Sequence, residues 1–253
     1  MLEDIKGKRV LVTGSSTGIG AALALELCRL GAGVAVHANS SVAAAQKIVD
    51  TIKNEGGTAV LVTGDVCDTA AAAKIVDGAV AALGGLDVLI NNAGGILDRV
   101  TNAEFDNDIY DRVFDLNVRS ILNITKAAYP HLKKAGGGSI VNTGSIAGRV
   151  GGAAGSVVYA SAKAAVHSIS RNAAREFAAD NIRVNTVAPG FIETPFHNNT
   201  PKAAREGAKA AIVMGRIGTA QECVGAYVFF ISENMSGYIT GQIMDVNGGQ
   251  LMP

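Results

Sequence analysis

The chain has 253 residues, of which 48% are hydrophobic and 17% charged, and this composition predicts a folded domain with a large apolar core. Lysine plus arginine equals aspartate plus glutamate at 22 each, so no net field favours nucleic acid or an anionic membrane as a partner. The cysteines and histidines lack the spacing of a disulfide framework or a metal site, so no metal is expected. The charged start of the chain and the absence of a long apolar run predict a cytoplasmic protein without a membrane span.

Short apolar runs alternate with helical segments along the chain. Strands are predicted at residues 9–13, 34–37, 59–63, 86–90, 139–143, 182–187 and 242–246. Helices are predicted at residues 21–30, 42–55, 107–135, 156–180 and 220–231, and a further helix follows the third strand and ends at about residue 83. Strands that are apolar throughout are typical of a parallel sheet covered on both faces, and no linker or repeat divides the chain. The sequence therefore predicts one α/β domain over residues 1–253, a doubly wound parallel β-sheet of about seven strands flanked by helices on both faces.

A glycine-rich turn follows the first predicted strand. The segment from Thr13 to Gly20 has the spacing Gly-x-x-x-Gly-x-Gly and opens the first helix. Glycines let the backbone turn tightly and approach a pyrophosphate, which the N-terminus of a helix then stabilises. Such a turn has a structural explanation when it stands alone, but its place between a strand and a helix favours dinucleotide binding. The residues expected at the cofactor are Gly14, Ser16, Gly18, Ile19 and Gly20.

The end of the third strand carries a second candidate for cofactor binding. Asp65 is suited to accept a hydrogen bond from an adenine amino group, and Val66 is suited to cover the ring. The alternative is a structural role in which Asp65 or Asp68 caps the following helix.

Two further strand ends carry small and polar residues, where ligands bind in open α/β sheets. Side-chain amides and small residues suit a ribose wall after the fourth strand, and the segment after the sixth strand suits the nicotinamide. The candidates are Asn91, Ala93 and Gly94 after the fourth strand, and Pro189, Gly190, Ile192 and Thr194 after the sixth.

Tyr159 and Lys163 are four residues apart in a predicted helix, so a phenol and an ammonium share one face. A nearby cation favours the phenolate, so the pKa of Tyr159 is expected to fall toward neutral and the residue to act as a general acid or base. Ser145 follows the fifth strand, and its hydroxyl can bond a substrate oxygen. A solvated surface pair is the alternative for Tyr159 and Lys163 taken alone.

Asn117 lies inside the predicted helix at residues 107–135, although asparagine is a poor helix former. A distortion of the helix at this point is expected, and a surface asparagine without a role is the alternative.

Together these residues resemble the short-chain dehydrogenase/reductase family over essentially the whole chain. The resemblance is carried by the glycine-rich turn, Asp65-Val66, Asn91 to Gly94, Asn117, Ser145, Tyr159-x-x-x-Lys163 and Pro189-Gly190. It implies a Rossmann-like fold and hydride transfer between a nicotinamide cofactor and a carbonyl or secondary alcohol. It also implies a catalytic tetrad in which Ser145 orients the substrate oxygen and Tyr159 exchanges the proton. In that scheme Lys163 lowers the Tyr159 pKa and, with Tyr159, contacts the cofactor, while Asn117 supports a proton-relay water.

The choice between NADP and NAD depends on the end of the second strand. A carboxylate there would bind a ribose 2′-hydroxyl and repel a 2′-phosphate, but this region has none. Asn39 and Ser40 are suited to donate to a phosphate, although no arginine follows the strand. The sequence therefore allows both cofactors and favours NADP.

The substrate remains open between two enzymatic interpretations, a sugar or polyol dehydrogenase and a 3-oxoacyl-[acyl-carrier-protein] reductase. The second requires a basic patch for an acidic carrier protein, and Lys133-Lys134 is the only adjacent basic pair near the helix that carries Tyr159. A nucleotide-binding protein that senses cofactor state is a third, non-enzymatic alternative, which the complete tetrad disfavours.

Two further expectations concern assembly and motion. The helices at residues 107–135 and 156–180 carry many small residues, and family members commonly associate through this helix pair, so a homotetramer is expected, with a dimer as the alternative. Residues 195–214 are expected to form a mobile lid with a short helix at residues 202–212, with a turn at Asn198-Asn199 and helix breaks at Pro195 and Pro201. A fixed connection without a catalytic role is the alternative.

Overall fold

The structure of the protein, a computed structural model, describes residues 2–198, 200 and 202–253. The strands are β1 Arg9–Val12, β2 Gly33–Ala38, β3 Thr58–Thr63, β4 Val88–Asn91, β5 Gly138–Thr143, β6 Ile182–Pro189, β7 Ile192–Glu193, β8 Gly218–Thr219 and β9 Ile243–Val246. The α-helices are α1 Gly18–Arg29, α2 Val42–Asn54, α3 Thr69–Leu83, α4 Asn107–Phe114, α5 Ser120–Lys134, α6 Ala147–Val150, α7 Val157–Phe177, α8 Lys202–Ala210, α9 Ala220–Ile231 and α10 Glu233–Ser236. Asn199 and Pro201, named in the predicted turn and helix break, lie outside the described residues.

Seven strands pair in parallel in the order β3-β2-β1-β4-β5-β6-β9. The chain winds outward from β1 to β3, returns to the middle at β4, and then winds outward in the other direction. The order therefore reverses between β1 and β4, which confirms the predicted doubly wound, Rossmann-like sheet.

Each face of the sheet packs against its own helices. Successive side chains of a strand point to opposite faces, so Val10 and Val12 of β1 face one layer and Leu11 faces the other. The first layer contains α1, α2 and α9, and the second contains α3, α5 and α7. None of the helices in the described part of the chain has the length and apolar character needed to cross a bilayer.

The single helix predicted over residues 107–135 is interrupted in the structure. A π-helical turn at Asp115–Arg119 separates α4 from α5. Asn117 lies in the middle of this turn, and its amide donates to the carbonyl oxygens of Val113 at 2.9 Å and Gly95 at 2.8 Å. The predicted distortion at Asn117 is confirmed, and its cause is a side chain that competes with the backbone for hydrogen bonds.

A small lobe stands outside the main sheet. The two-residue strands β7 and β8 pair with each other, and the chain between them contains α8. No residue of α8 is buried, which agrees with the predicted alanine-rich and weakly anchored helix. The lobe covers the carboxyl end of the sheet, where the candidate site lies.

Candidate active site

A cavity of about 730 Å³ opens at the carboxyl ends of the strands, beside the point where strand order reverses between β1 and β4. Open α/β sheets bind their ligands at this position. His37 and Asp65 line one part of the cavity, and Ser145, Tyr159 and Lys163 line another. The cavity therefore connects the strand ends predicted to bind a nucleotide with those predicted to carry the catalytic residues.

The glycine-rich turn forms one wall through Gly14, Ser16, Gly18 and Ile19, all of which line the cavity. Gly14 and Gly18 have positive φ angles of 61° and 57°, a conformation that glycine adopts at low cost. A Cβ atom on Gly14 would lie 2.9 Å from the Cα of Ala93, so a larger residue would displace the next wall. Thr17 precedes α1 without a side-chain cap, which leaves the first amides of the helix free for an anion.

Gly20 differs from the other predicted glycines because it does not line the cavity. A Cβ atom there would lie 2.5 Å from the Nδ2 of Asn92 and 2.6 Å from the carbonyl oxygen of Gly14. The absence of a side chain lets Asn92 donate to the carbonyl oxygens of Thr13 and Gly14, at 3.0 and 2.9 Å. Gly20 therefore shapes the turn, and its predicted contact with the cofactor is corrected to a packing role.

His37 is a wall residue that sequence reasoning missed. It is buried at the end of β2, where its Nδ1 accepts from the N–H of Gly14 at 3.0 Å. Its Nε2 must then carry the proton, and it lies 3.1 Å from the carbonyl oxygen of Gly64. Burial is the main cause that lowers the pKa of His37, so the imidazole is neutral at pH 7. The available signal was a polar residue inside an apolar strand that ends beside the glycine-rich turn.

The predicted adenine-binding residues lie at the same part of the cavity. Asp65 and Val66 line it, and Asp65 also accepts from the backbone N–H of Cys67 at 2.9 Å. The cap of α3 is Asp68, which accepts from Ala71 at 2.6 Å, so the capping alternative applies to Asp68 and not to Asp65.

The two polar residues predicted after β2 separate in the structure. Asn39 lines the cavity, whereas Ser40 is exposed and does not. Both residues are exposed, and the predicted contact of Ser40 with the cofactor receives no support from the lining of the cavity.

Of the residues predicted for the wall after β4, Ala93 and Gly94 line the cavity and Asn91 does not. Asn91 is buried within the strand and donates to Asn142 at 2.8 Å and to Thr125 at 3.1 Å, away from the cavity. Asn92, Ala93 and Gly94 line the cavity instead. Successive residues of a strand point to opposite faces. The side chain of Asn92 therefore faces the cavity, and that of Asn91 faces the neighbouring strand and helix.

Ser145, Tyr159 and Lys163 come together at the chemical end of the cavity. Ser145 follows β5, and Tyr159 and Lys163 lie one turn apart on α7. The Nζ of Lys163 donates to the carbonyl oxygen of Thr143 at 2.8 Å and lies 5.7 Å from the centroid of the Tyr159 ring. The surface-pair alternative is excluded because Lys163 is buried and Tyr159 is half-buried.

Burial dominates the proton affinities of this pair. It raises the pKa of Tyr159 to about 12, and a hydrogen bond with Ser145 opposes the shift. It lowers the pKa of Lys163 to about 8. The structure does not show the predicted fall of the Tyr159 pKa toward neutral, because burial of the phenolate outweighs the opposing effect of Ser145.

Asn117 stands behind this group and is fully buried, so the surface alternative is wrong. Its side chain does not line the cavity, but it lies next to Lys163 across Gly94. A Cβ atom on Gly94 would be 2.9 Å from the Oδ1 of Asn117 and 3.1 Å from the Nζ of Lys163. The absence of a side chain at Gly94 therefore keeps the space between the amide and the ammonium open.

The wall after β6 contains the four predicted residues Pro189, Gly190, Ile192 and Thr194. Gln250, near the end of the chain, joins this wall and was not predicted. Its Oε1 is buried and has no hydrogen-bond partner within the described residues, so it is available to a ligand. Nothing in the local sequence marks Gln250, because only the chain path after β9 brings it here.

The small lobe closes the cavity with aromatic rings. Phe196 lies 5.7 Å from Tyr159 between ring centroids, and His197 stacks on Phe191 at 3.8 Å. Burial, followed by the positive charge of Arg99, lowers the pKa of His197 to about 4, so this imidazole is neutral. Within the described residues, no group of histidine, cysteine or acidic side chains is arranged to hold a metal.

These features fit a nicotinamide dinucleotide. The left-handed glycines and uncapped amides suit a pyrophosphate, and the cavity leads from there to Tyr159 and Lys163. Asp65 and Val66 suit the adenine, and the wall with Thr194 and the free Oε1 of Gln250 suits the nicotinamide end.

Comparisons with known proteins agree with this geometry. The family model described as short chain dehydrogenase matches residues 8–205. The chain is 38% identical over 248 residues to the 3-oxoacyl-[acyl-carrier-protein] reductase FabG of Pseudomonas aeruginosa, covering 98% of this chain and 99% of the relative. It is 36% identical to a probable tetrahydroxynaphthalene reductase of Zymoseptoria tritici, covering 98% of this chain and 96% of the relative.

A solved structure extends the similarity to the cofactor. The NADH-dependent reductase A1-R′ responsible for alginate metabolism is 44% identical with a TM-score of 0.89, covering 99% of this chain and 100% of the other. Its complex with NAD is also 44% identical, with a TM-score of 0.87 and 100% of both chains covered. Because these similarities span the whole chain, this protein belongs to the short-chain dehydrogenase/reductase family and is an NAD(P)-dependent oxidoreductase acting on carbonyl or secondary alcohol groups.

Proposed function

We propose that this protein uses NADH to reduce the ketone or aldehyde carbonyl of a small, polar, sugar-derived compound. The observation that carries the proposal is the meeting of Ser145, Tyr159 and Lys163 in a cavity whose other walls suit a dinucleotide. The nicotinamide supplies the hydride when bound, and the protein supplies binding, orientation and the proton.

Tyr159 is the proton donor in this proposal. With its pKa raised to about 12, the phenol keeps its proton at neutral pH, the state needed to donate to a carbonyl oxygen. Ser145 lines the same end of the cavity as this phenol and is placed to hold the same substrate oxygen. Two hydroxyl groups on one oxygen fix the carbonyl relative to the cofactor wall.

Lys163 and Asn117 support the donor. The ammonium has three N–H groups, of which one is used by the carbonyl oxygen of Thr143, so the others can bind a ribose hydroxyl. The buried amide of Asn117 lies beside this ammonium across Gly94. We assign Asn117 to a water that returns a proton toward Lys163 after each turnover.

The adenosine end of the cavity supports NADH in preference to NADPH. Among the described cavity-lining residues, the lysine is Lys163 and the arginine is Arg99. Lys163 lies on α7 and Arg99 lies beside the start of α7, so neither cation is at the adenosine end. At the other end Asp65 contributes a carboxylate. A 2′-phosphate at this end would find no cation among the described cavity-lining residues. The sequence favoured NADP because no carboxylate follows β2, but the absence of a cation lining the cavity beside Asn39 argues against a phosphate.

The substrate end supports a small polar compound. Ile96, Val150 and Phe196 contribute apolar surface, while Ser145 and His197 contribute polar groups. The similarity to an NADH-dependent reductase responsible for alginate metabolism, at 44% identity, supports a sugar-derived substrate.

The second candidate is reduction of a 3-oxoacyl group on an acyl carrier protein. The 38% identity to FabG of Pseudomonas aeruginosa favours it. Docking of an acidic carrier protein requires exposed, unpaired basic residues around the opening. Arg99 is the one arginine among the described cavity-lining residues, whereas Arg112, Arg205 and Arg216 form ion pairs with carboxylates of this chain, which weakens this candidate.

The proposal is tested by incubating the protein with a panel of substrates and either NADH or NADPH. The absorbance of the reduced cofactor reports its oxidation. The panel contains keto sugars, keto sugar acids, simple ketones and 3-oxoacyl thioesters. We expect turnover with a sugar-derived carbonyl and NADH to exceed turnover with the other combinations. A preference for 3-oxoacyl thioesters would support the second candidate, and cofactor binding without turnover of any compound would contradict the proposed reaction.

A further inference from the structure

Arg99 is a cation at the substrate end of the cavity that the proposed reaction does not use. Its position is set by its neighbour Val100, whose N–H donates to the carbonyl oxygen of Gly155 at 2.9 Å and which forms a parallel bridge with Ser156. A Cβ atom on Gly155 would lie 3.5 Å from the Cβ of Arg99. Because Gly155 and Ser156 directly precede α7, Arg99 is held beside the turn that leads into Tyr159.

The guanidinium of Arg99 has no hydrogen bond or ion pair within the described part of the chain. The adjacent carboxylate, Asp98, is bound by Arg112 at 2.8 Å, and Arg112 also binds Asp108 at 2.9 Å. The nearest acidic side chain in sequence is therefore engaged elsewhere. An arginine that lines a cavity without an internal anion keeps its donors for a ligand.

The group that faces Arg99 from the small lobe is neutral. The ring of His197 lines the same cavity, and the charge of Arg99 contributes, after burial, to the lowered pKa of this imidazole. Arg205 of the same lobe is ion-paired with Glu193. Of these two arginines, Arg99 is therefore the one without an anion of this chain as its partner.

We propose that Arg99 binds a carboxylate of the substrate, so that the protein reduces an oxo acid, a sugar-derived compound that carries both a carbonyl and a carboxylate. A guanidinium presents two parallel N–H groups that match the two oxygens of a carboxylate. One cation suits a single negative charge, whereas a phosphate dianion attracts a larger set of donors. The inference rests on the proposed function, because it assigns the second attachment point of a substrate whose carbonyl is held by Ser145 and Tyr159. Two attachment points orient the carbonyl toward the cofactor wall.

The kinetic test compares a keto sugar acid with its methyl ester, and pyruvate with methyl pyruvate as the smallest pair. Each ester retains the carbonyl and loses the negative charge. In Arg99→Gln, kcat/KM for the acids should fall about 10- to 100-fold, the effect of losing a charged hydrogen bond, while kcat/KM for the esters changes little. Arg99→Lys should restore part of the activity toward the acids, because it keeps the charge without the bidentate geometry.

Arg29→Gln is the matched control, since it removes the same charge from a residue that is ion-paired and does not line the cavity. It should leave the acid-to-ester ratio unchanged. An equal loss for acid and ester in Arg99→Gln, or an equal change of the ratio in Arg29→Gln, would overturn the assignment of Arg99.

A binding measurement separates this inference from the proposed reaction. Calorimetry of the protein with NAD and glucuronate, and with methyl glucuronate as the neutral counterpart, requires no turnover. Wild-type protein should bind glucuronate more tightly, and Arg99→Gln should lose this preference. If no carbonyl in the panel is reduced but glucuronate binding depends on Arg99, the proposed reaction fails and the anion site stands. If wild-type protein shows no preference for glucuronate, or if Arg99→Gln retains it, the anion site is wrong.

Discussion

The hydroxyl of Tyr159 is the group that must carry and release the proton in the proposed reaction. Tyr159→Phe removes it and keeps the ring beside Phe196, at 5.7 Å between centroids. We expect turnover to fall about 100- to 10,000-fold, with NADH affinity and melting temperature unchanged. Steady-state kinetics and fluorescence titration with NADH measure the two effects. Tyr238→Phe, which loses a hydroxyl from a fully exposed side chain outside the cavity, is the control, and a Tyr159→Phe protein with near-normal turnover would refute the role.

The ammonium group of Lys163 is buried, and burial disfavours its charged form. Burial lowers its pKa from 10.5 to about 8, so the unfolded chain binds the proton more tightly than the folded protein between these values. The free energy of unfolding contributed by this group therefore rises as the pH increases from about 8 to 10.5. Lys163→Met should abolish turnover and weaken NADH binding, yet be more stable than wild type at pH 7, with the difference shrinking toward pH 10.5. Thermal unfolding across this range measures the difference, and a constant gap would contradict the buried charge.

His37 holds the glycine-rich turn through its Nδ1, which accepts from the N–H of Gly14. His37→Leu leaves this donor without a partner, so NADH affinity should fall about 5- to 100-fold. His37→Asn offers an oxygen acceptor and should recover most of the affinity. Titration calorimetry with NADH compares the variants, and equal affinity for His37→Leu and wild type would exclude the positioning role.

The imidazole of His37 should also make stability and NADH affinity depend on pH. The groups that face the ring are the N–H of Gly14, the carbonyl oxygen of Gly64 and the carboxylate of Asp65. The net effect lowers the pKa of His37 below 6.5, so the unfolded chain takes up the proton first as the pH falls. Below pH 6.5 wild type should lose stability, and NADH affinity should fall because a protonated Nδ1 cannot accept from Gly14. His37→Asn should lack this part of the pH dependence.

At the scale of elements, α8 is held to the rest of the protein by few contacts. None of its residues is buried, and Arg205 links it to the lobe through an ion pair with Glu193 and a contact 5.9 Å from the Phe191 ring centroid. The next firm attachment is Ile212, which is 4% exposed. Little buried area means a small free energy for local opening, so this helix is suited to act as a lid over the substrate.

Hydrogen exchange of residues 195–214 tests the lid. We expect fast exchange in the protein alone and slower exchange when NADH and a substrate analogue are bound, since both lie against the lobe. Arg205→Ala should increase exchange and raise KM, while Arg216→Ala, which breaks an ion pair with Glu222 outside the cavity, should do neither. Equal protection of these residues with and without ligands would exclude the lid.

The seven strands of the main sheet were predictable from sequence because each is short, internally regular and bounded by glycine or polar residues, as in β1 and β2. The sequence does not determine toward which face of the sheet a side chain points at the end of a strand. Asn91 and Asn92 are identical side chains, and only the register of β4 decides which of them meets the cavity. His37 and Gln250 were missed for a related reason, since their roles depend on contacts between segments that are distant in the chain.

At the scale of the whole molecule, α5 and α7 leave an apolar groove between them. The groove has a volume of about 290 Å³ and is lined by Leu122, Ile169 and Ala173 among others. Leu122 is 49% exposed, which is unfavourable for a large apolar side chain unless a second surface covers it. We expect two copies of the chain to meet along this helix pair and the protein to form a homotetramer.

Light scattering checks the assembly against the 25.8 kDa mass of one chain. Leu122→Asp places a charge in the groove and should shift the protein to smaller species. Val42→Asp is the control, because Val42 is 40% exposed on α2, in the other helical layer. A single 25.8 kDa species for wild type, or no shift for Leu122→Asp, would refute this interface.

Assembly and catalysis should be linked through α7. This helix carries Tyr159 and Lys163 at the cavity and Ile169 and Ala173 at the groove, so an interface along the groove would restrain the helix that positions both catalytic side chains. Dissociation removes that restraint, and mass action makes the loss depend on protein concentration. We expect the specific activity of wild type to fall on dilution, with a midpoint that coincides with dissociation, and Leu122→Asp to have low activity at every concentration. Full activity in the dissociated protein would show that each chain holds its own catalytic helix without help from a partner.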